Sequence, residues 1–159
     1  MLLNRFIRNS NITTIKYQSL SKLRPKKQLY TTTTTKKKIV LGIETSCDDT
    51  SAAIVTSDRQ ILSEVVKSQQ EMHEPMGGIV PTLASLGHSR HLPNVICETL
   101  DRANVSIADI DAIAVTRGPG LPPCLPVGLN AAKTLAAVNK KPLIGVHHMV
   151  IKNHTYIFT

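Results

Sequence analysis

The stretch Lys38-Ile39-Val40-Leu41-Gly42-Ile43-Glu44-Thr45-Ser46-Cys47-Asp48-Asp49-Thr50 decides the fold. An apolar run from Ile39 to Ile43 enters a small polar turn with two adjacent carboxylates, and a second apolar run, Ala52 to Val55, follows at once. Short aliphatic runs bounded by small polar residues read as strands joined by a turn. Such an edge sets hydroxyls and carboxylates at the mouth of a sheet.

Working outward, Lys38–Ile43 and Ala52–Thr56 read as strands and Ile61–Lys67 alternates as a third, with Asp58-Arg59-Gln60 as the turn between the last two. Three consecutive short strands predict an antiparallel meander. Gly77-Gly78 marks a loop. Pro81 then opens a helix, where proline is tolerated, with Leu83, Leu86, Leu92, Val95, Ile96 and Leu100 as its apolar face. Pro93 predicts a break or kink. Asp109–Asp111 leads into a strand, Ala112–Val115. After Gly118-Pro119-Gly120, a helix over Leu125–Val138 carries Leu129, Ala132, Leu135 and Ala136 at helical spacing. Pro142–Val146 is a final strand. Strand, helix, strand implies a parallel pair with a right-handed crossover. The expected fold class is therefore mixed α/β.

The 159 residues set a prior of one domain. The net charge of +8 is unevenly placed: residues 1–38 hold ten of the nineteen Lys and Arg and no acid, and the remainder is slightly acidic. The basicity belongs to the leader and gives no support for a nucleic-acid surface on the folded part. A leader rich in Arg, Lys, Ser and Thr, free of acids and without a long apolar core, has the composition of a mitochondrial transit peptide. The Thr31–Thr35 run is low complexity and reads as linker. Residues 1–37 are thus expected to be transit peptide and linker, 38–149 the folded part, and 150–159 a tail of different character; the expected location is the mitochondrial matrix. No stretch approaches the ~20 apolar residues of a membrane-spanning helix, so no membrane is expected. Cys47, Cys97 and Cys124 are odd in number and widely spaced, which argues against a disulfide framework.

Three motifs carry chemistry. The adjacent carboxylates Asp48 and Asp49 repel unless solvated or held by a cation or donors; they fit a site for a cation or a substrate amine, and equally a polar hairpin turn, which chemistry alone favours. In Thr116-Arg117-Gly118-Pro119-Gly120-Leu121, glycines between a strand and a helix let backbone N–H groups approach an anion. There is no G-K-[ST], so this is not a P-loop, and on spacing alone a tight turn is the plainer reading. His88 and His91 lie three apart on the predicted helix and read as a surface pair. His147 and His148 end the last strand, where α/β proteins tend to place ligands. Four residues after His148, where a second helical histidine would complete a metal pair, stands Lys152.

Taken in order, LGIETSCDDTSAAIV, GGIVPTLASLGHSRHLPNV, IDAIAVTRGPGLPPCLPVGLNAAKTLA and KPLIGVHHM resemble the tRNA threonylcarbamoyladenosine synthase family, most of all its mitochondrial members. The resemblance covers residues 38–149. It implies the N-terminal lobe of an actin-like, sugar-kinase-like, Hsp70-like (ribonuclease H-like) fold. It implies transfer of a threonylcarbamoyl group from threonylcarbamoyl-AMP to the exocyclic amine of the adenosine beside the anticodon of a tRNA. Carried over by position, Asp48 and Asp49 match the family's catalytic acidic pair, Thr45, Ser46, Gly118 and Gly120 fall in its substrate-binding segments, and His148 matches its first metal histidine. The second metal histidine falls at Lys152, so the family's divalent metal, iron or zinc, is not expected to bind. Thr82 and Leu86 stand where many members have Glu and Arg. Family members are expected to be homodimers. Family chains run to roughly twice this folded length, so the second lobe is expected to be missing and the chain to be a truncated, inactive form. The alternative readings are a non-catalytic module that pairs with full-length subunits, or a relic without a stable fold.

Overall fold

A computed structural model describes residues 36–149. Residues 1–35, nearly all of the segment assigned as transit peptide and linker, and the tail with Lys152 lie outside the described residues. Five strands form one sheet: β1 (Ile39–Glu44), β2 (Thr50–Thr56), β3 (Ile61–Lys67), β4 (Ala112–Gly118) and β5 (Leu143–His147), in the order β3-β2-β1-β4-β5. β1, β2 and β3 make the antiparallel meander, whereas β4 runs parallel to β1, and β5 parallel to β4. This is the mixed sheet that the four motifs predict.

α2 (Pro81–Ala103) lies on β2 and β3, α3 (Leu125–Val138) lies on β4, and the two helices touch. Strand alternation sends Leu41 and Ile43 toward the helices, where they join Ala52, Ile54, Val65, Leu92, Val95, Ile113 and Val115 in the main core. Val40, Ala53, Val55, Ala112 and Ala114 form a second buried cluster, with Ile144 and Val146 against it.

Pro93 does not break the first long helix, which runs on through it. A mid-helix proline costs ~3 kcal/mol, but the buried Leu92, Val95 and Ile96 beside it contribute about 1.5–3 kcal/mol each and outweigh that cost. Of its expected inner face, Leu92, Val95 and Ile96 are buried, but Leu86 is 44% exposed, and Gly87 and His88 are buried in its stead. Ahead of this helix the structure adds a short turn, α1 (Gln70–His73), which the sequence pattern does not signal. It packs because Gly87 lacks a side chain: a Cβ there would stand 2.3 Å from Gln69 Oε1. Gln69 enters that notch and donates to the Ala84 carbonyl at 3.2 Å.

The strands are tied at both ends. At the N-terminal end the Asp111 carboxylate accepts from the Ile39 backbone N–H at 2.9 Å and from Lys38 Nζ at 3.2 Å, and the Asp111 N–H returns a bond to the Ile39 carbonyl at 2.7 Å. The opposite end, where β1, β4 and β5 all finish, carries the polar residues.

Candidate functional site

Parallel register pairs Ile43 with Val115, so the next residues on the two strands, Glu44 and Thr116, meet at the rim. Alternation sets Glu44 on the face opposite the helices. There its Oε1 accepts from the Ser46 backbone N–H at 2.5 Å and its Oε2 accepts from the Thr116 hydroxyl. β5 brings up the third partner. His148, just past its end, has Nδ1 at 3.1 Å from Ser46 Oγ and 3.6 Å from Glu44 Oε2. Glu44 is only 15% exposed and His148 30%. A carboxylate, a hydroxyl and an imidazole from three separate segments thus converge at the carboxyl ends of parallel strands, the usual ligand position in open α/β sheets.

The turn that follows β1 is held from two sides. From the α3 side, Leu121 N–H donates to the Ser46 carbonyl at 2.7 Å, and Gly120 approaches so closely that a Cβ would lie 2.6 Å from that same oxygen. The glycine-bearing and acid-bearing motifs are therefore in contact. From α2, the imidazole of His88 reaches the Cys47 carbonyl. Asp48 is half-buried and Asp49 exposed. Partial burial, helped by the Asp48 carboxylate beside it, pushes the Cys47 thiol up to about 11.

Thr45 points the other way from Glu44, into the helix side, and is buried; its hydroxyl donates to the Cys124 carbonyl at 3.0 Å and accepts from the Gly128 N–H at 3.1 Å. It satisfies a donor of the first turns of α3, which no side chain of α3 itself caps. Gly118 sits at the end of β4 with φ of +140°, paired with His147 across an irregularity in the β4–β5 register. The expected surface pair of histidines is corrected: His88 is fully buried, because Thr50, Gln69 and the Cys47 carbonyl supply partners that make burial of an imidazole tolerable. Burial lowers its pKa below the ordinary histidine value.

Sequence reasoning passed over Glu44 and Thr116 as site residues. Strand alternation held the signal for Glu44, since it falls on the face opposite Leu41 and Ile43. The pairing of Thr116 with it required the strand register.

Residues 60–156 match the TsaD family, described as tRNA N6-adenosine threonylcarbamoyltransferase. The chain belongs to this family. Among proteins named tRNA N6-adenosine threonylcarbamoyltransferase, it is similar to that of Anoxybacillus flavithermus (53% identical over 117 residues, covering 74% of this chain and 34% of the relative). It is similar also to those of Geobacillus kaustophilus (55% over 117 residues, with the same coverages) and Sorangium cellulosum (56% over 111 residues, 70% of this chain and 31% of the relative). The chain spans about a third of the length of these TsaD relatives. The TsaD match enters the segment 150–159 that composition sets apart, reaching residue 156. Among solved structures, the fold is similar to an uncharacterized Pseudomonas aeruginosa protein with similarity to peptidase YEAZ (TM-score 0.54, 24% identity, 69% of this chain and 43% of that one). YeaZ from Pseudomonas aeruginosa matches likewise (TM-score 0.51, 23% identity).

The metal that the family resemblance implies can be set against the donors present. Among the described residues no group of three or more His, Cys, Asp or Glu side chains could hold a metal ion. His148 directs Nδ1 at Ser46 and Glu44. Lys152 brings an ammonium, which has no lone pair to offer. A catalytic zinc site takes three protein ligands, and these residues do not fit one.

Proposed function

We propose that this chain forms the first wall of a tRNA threonylcarbamoyl-transfer site. The acyl donor is threonylcarbamoyl-AMP and the acceptor is the exocyclic amine of the adenosine next to the anticodon. The amine nitrogen bonds to the carbamoyl carbon, the AMP phosphate leaves, and the amine proton passes to a carboxylate. Asp48 is assigned that role, with Asp49 as the second acid that orients the amine. Ser46, Gly118 and Gly120 line the donor's path, where small residues admit an anion near backbone N–H groups, and Thr45 holds the turn from behind. What supports this reading, beside family membership, is one contact: His148 Nδ1 at 3.1 Å from Ser46 Oγ joins the end of β5 to the acidic turn at one rim.

One wall does not enclose a substrate, and acyl transfer depends on donors fixed around the reacting group in a water-poor site. The test is a chimera in which residues 38–149 replace the corresponding part of the Geobacillus kaustophilus relative, assayed for threonylcarbamoyladenosine by nucleoside mass spectrometry. Modified tRNA is expected, with a loss of about 10²-fold on Asp48→Asn. A folded, inactive chimera beside an active parent contradicts the proposal.

A second reading, pairing with another family subunit or with a second copy, is favoured by Met76, Ile79 and Leu86, which are 61%, 43% and 44% exposed around the start of α2. Light scattering of the purified chain decides it; a monomer at all concentrations counts against pairing with itself. We assign the protein to the mitochondrial matrix on the composition of residues 1–37, and a reporter fused to that leader that stays in the cytosol would refute the assignment.

A further inference from the structure

We propose that His88 is the positioning residue for Asp48 and Asp49, clamping the two residues that flank the acid pair, the Cys47 carbonyl and the Thr50 hydroxyl, with one imidazole. The proposal rests on the acyl-transfer reading for what those acids do, and on geometry alone for how they are held. His88 Nε2 lies 3.0 Å from the carbonyl oxygen of Cys47, the residue immediately before Asp48. Its Nδ1 lies 2.7 Å from the hydroxyl of Thr50, the residue immediately after Asp49.

The hydrogen positions follow from the partners. A carbonyl oxygen only accepts, so Nε2 carries the proton. Nδ1 of the neutral ring is then an acceptor, and both groups facing it are able to donate: the Thr50 hydroxyl, and the Gln69 amide at 3.3 Å. Each polar atom of a fully buried side chain is used, and none is used on its own helix. Any buried imidazole needs partners; here the two nitrogens draw theirs from the residues on each side of the acid pair. Gly87, beside it, admits the Gln69 side chain that completes the arrangement.

Two substitutions separate positioning from filling. In His88→Gln the amide nitrogen extends to about the place of Nε2 and keeps the donor to Cys47. In His88→Asn it stops near the place of Nδ1 and loses that contact. The full 159-residue chain is used for both, with thermal unfolding as the check on folding and backbone ¹⁵N relaxation as the readout. Amides of Asp48 and Asp49 are expected at order parameters near 0.85 in the unaltered chain, between that and about 0.6 in His88→Gln, which keeps the Cys47 contact and gives up the Nδ1 contact with Thr50, and below about 0.6 in His88→Asn. Equal order in all three, or loss in His88→Gln to the level of His88→Asn, overturns the proposal. Should His88→Asn not fold, imidazole ¹⁵N shifts of the unaltered chain at neutral pH still decide: a proton on Nε2 is expected, and a proton on Nδ1 overturns the clamp. None of these measurements involves tRNA, so failure of the acyl-transfer reading would show separately, as an inactive chimera with the turn still ordered.

Discussion

The two ends of the β1–β4 strand pair are each latched by a carboxylate, and the latches differ in what surrounds them. At the N-terminal end Asp111 grips the first backbone N–H of β1 and the Lys38 ammonium. At the C-terminal end Glu44 accepts from a backbone N–H and a hydroxyl and faces an imidazole. A carboxylate beside a lysine on the outside of a sheet is a fastening. A carboxylate set among a hydroxyl and a histidine, with two more acids on the same turn, is material for proton transfer and for holding an amine. The same kind of hydrogen-bond acceptor thus serves structure at one end and, if the acyl-transfer proposal holds, chemistry at the other.

Perturbations of the two ends sharpen this contrast. The largest stability loss is expected for Thr45→Val at the site end. It strands the buried Gly128 N–H and leaves the Cys124 carbonyl with the Val127 N–H alone, at about 2–3 kcal/mol in urea denaturation. Gly120→Ala comes next: its Cβ would sit 2.6 Å from the Ser46 carbonyl oxygen, and the turn must shift at a cost of about 1–3 kcal/mol, with changed Ser46 and Asp48 amide shifts. At the other end, Asp111→Asn is expected to cost about 1–2 kcal/mol at neutral pH, a charge-assisted bond being worth somewhat more than a neutral one. The Ile39 N–H, then Lys38, hold the Asp111 pKa below its ordinary value. The sign follows: its contribution is fully present above the unfolded value of about 3.9 and is lost as pH falls through the lower folded value. Thermal midpoints of the parent and Asp111→Asn should therefore converge in acid. The smallest effect belongs to neither end: Arg102→Ala breaks an exposed pair with Glu98 one helical turn away and should cost under ~0.5 kcal/mol.

How much of the molecule was legible in its residues depends on the range of the interactions. The meander, α3 and both parallel strands follow from local runs and turn chemistry, because burial of strand faces obeys a period of two. The continuity of α2 through Pro93 does not, since it depends on what Leu92, Val95 and Ile96 meet across the sheet. The burial of His88 was hidden for the same reason: its partners Cys47, Thr50 and Gln69 are 41, 38 and 19 residues away in sequence. Asp48, Asp49 and His148 are legible from motif wording, yet the carboxylate that faces the Ser46 N–H, Thr116 and His148 together is Glu44, whose place emerges only once β1, β4 and β5 are in register.

The most direct test compares the two latches by rate. In the chimera that carries residues 38–149, Glu44→Gln is expected to lower the initial rate of threonylcarbamoyladenosine formation by about tenfold, as loss of ~1.4 kcal/mol of transition-state stabilisation would, while Asp111→Asn changes it by less than about twofold at a temperature where both are folded. Equal losses from the two substitutions, or a full rate in Glu44→Gln, would contradict the division of the strand pair into a fastened end and a working end.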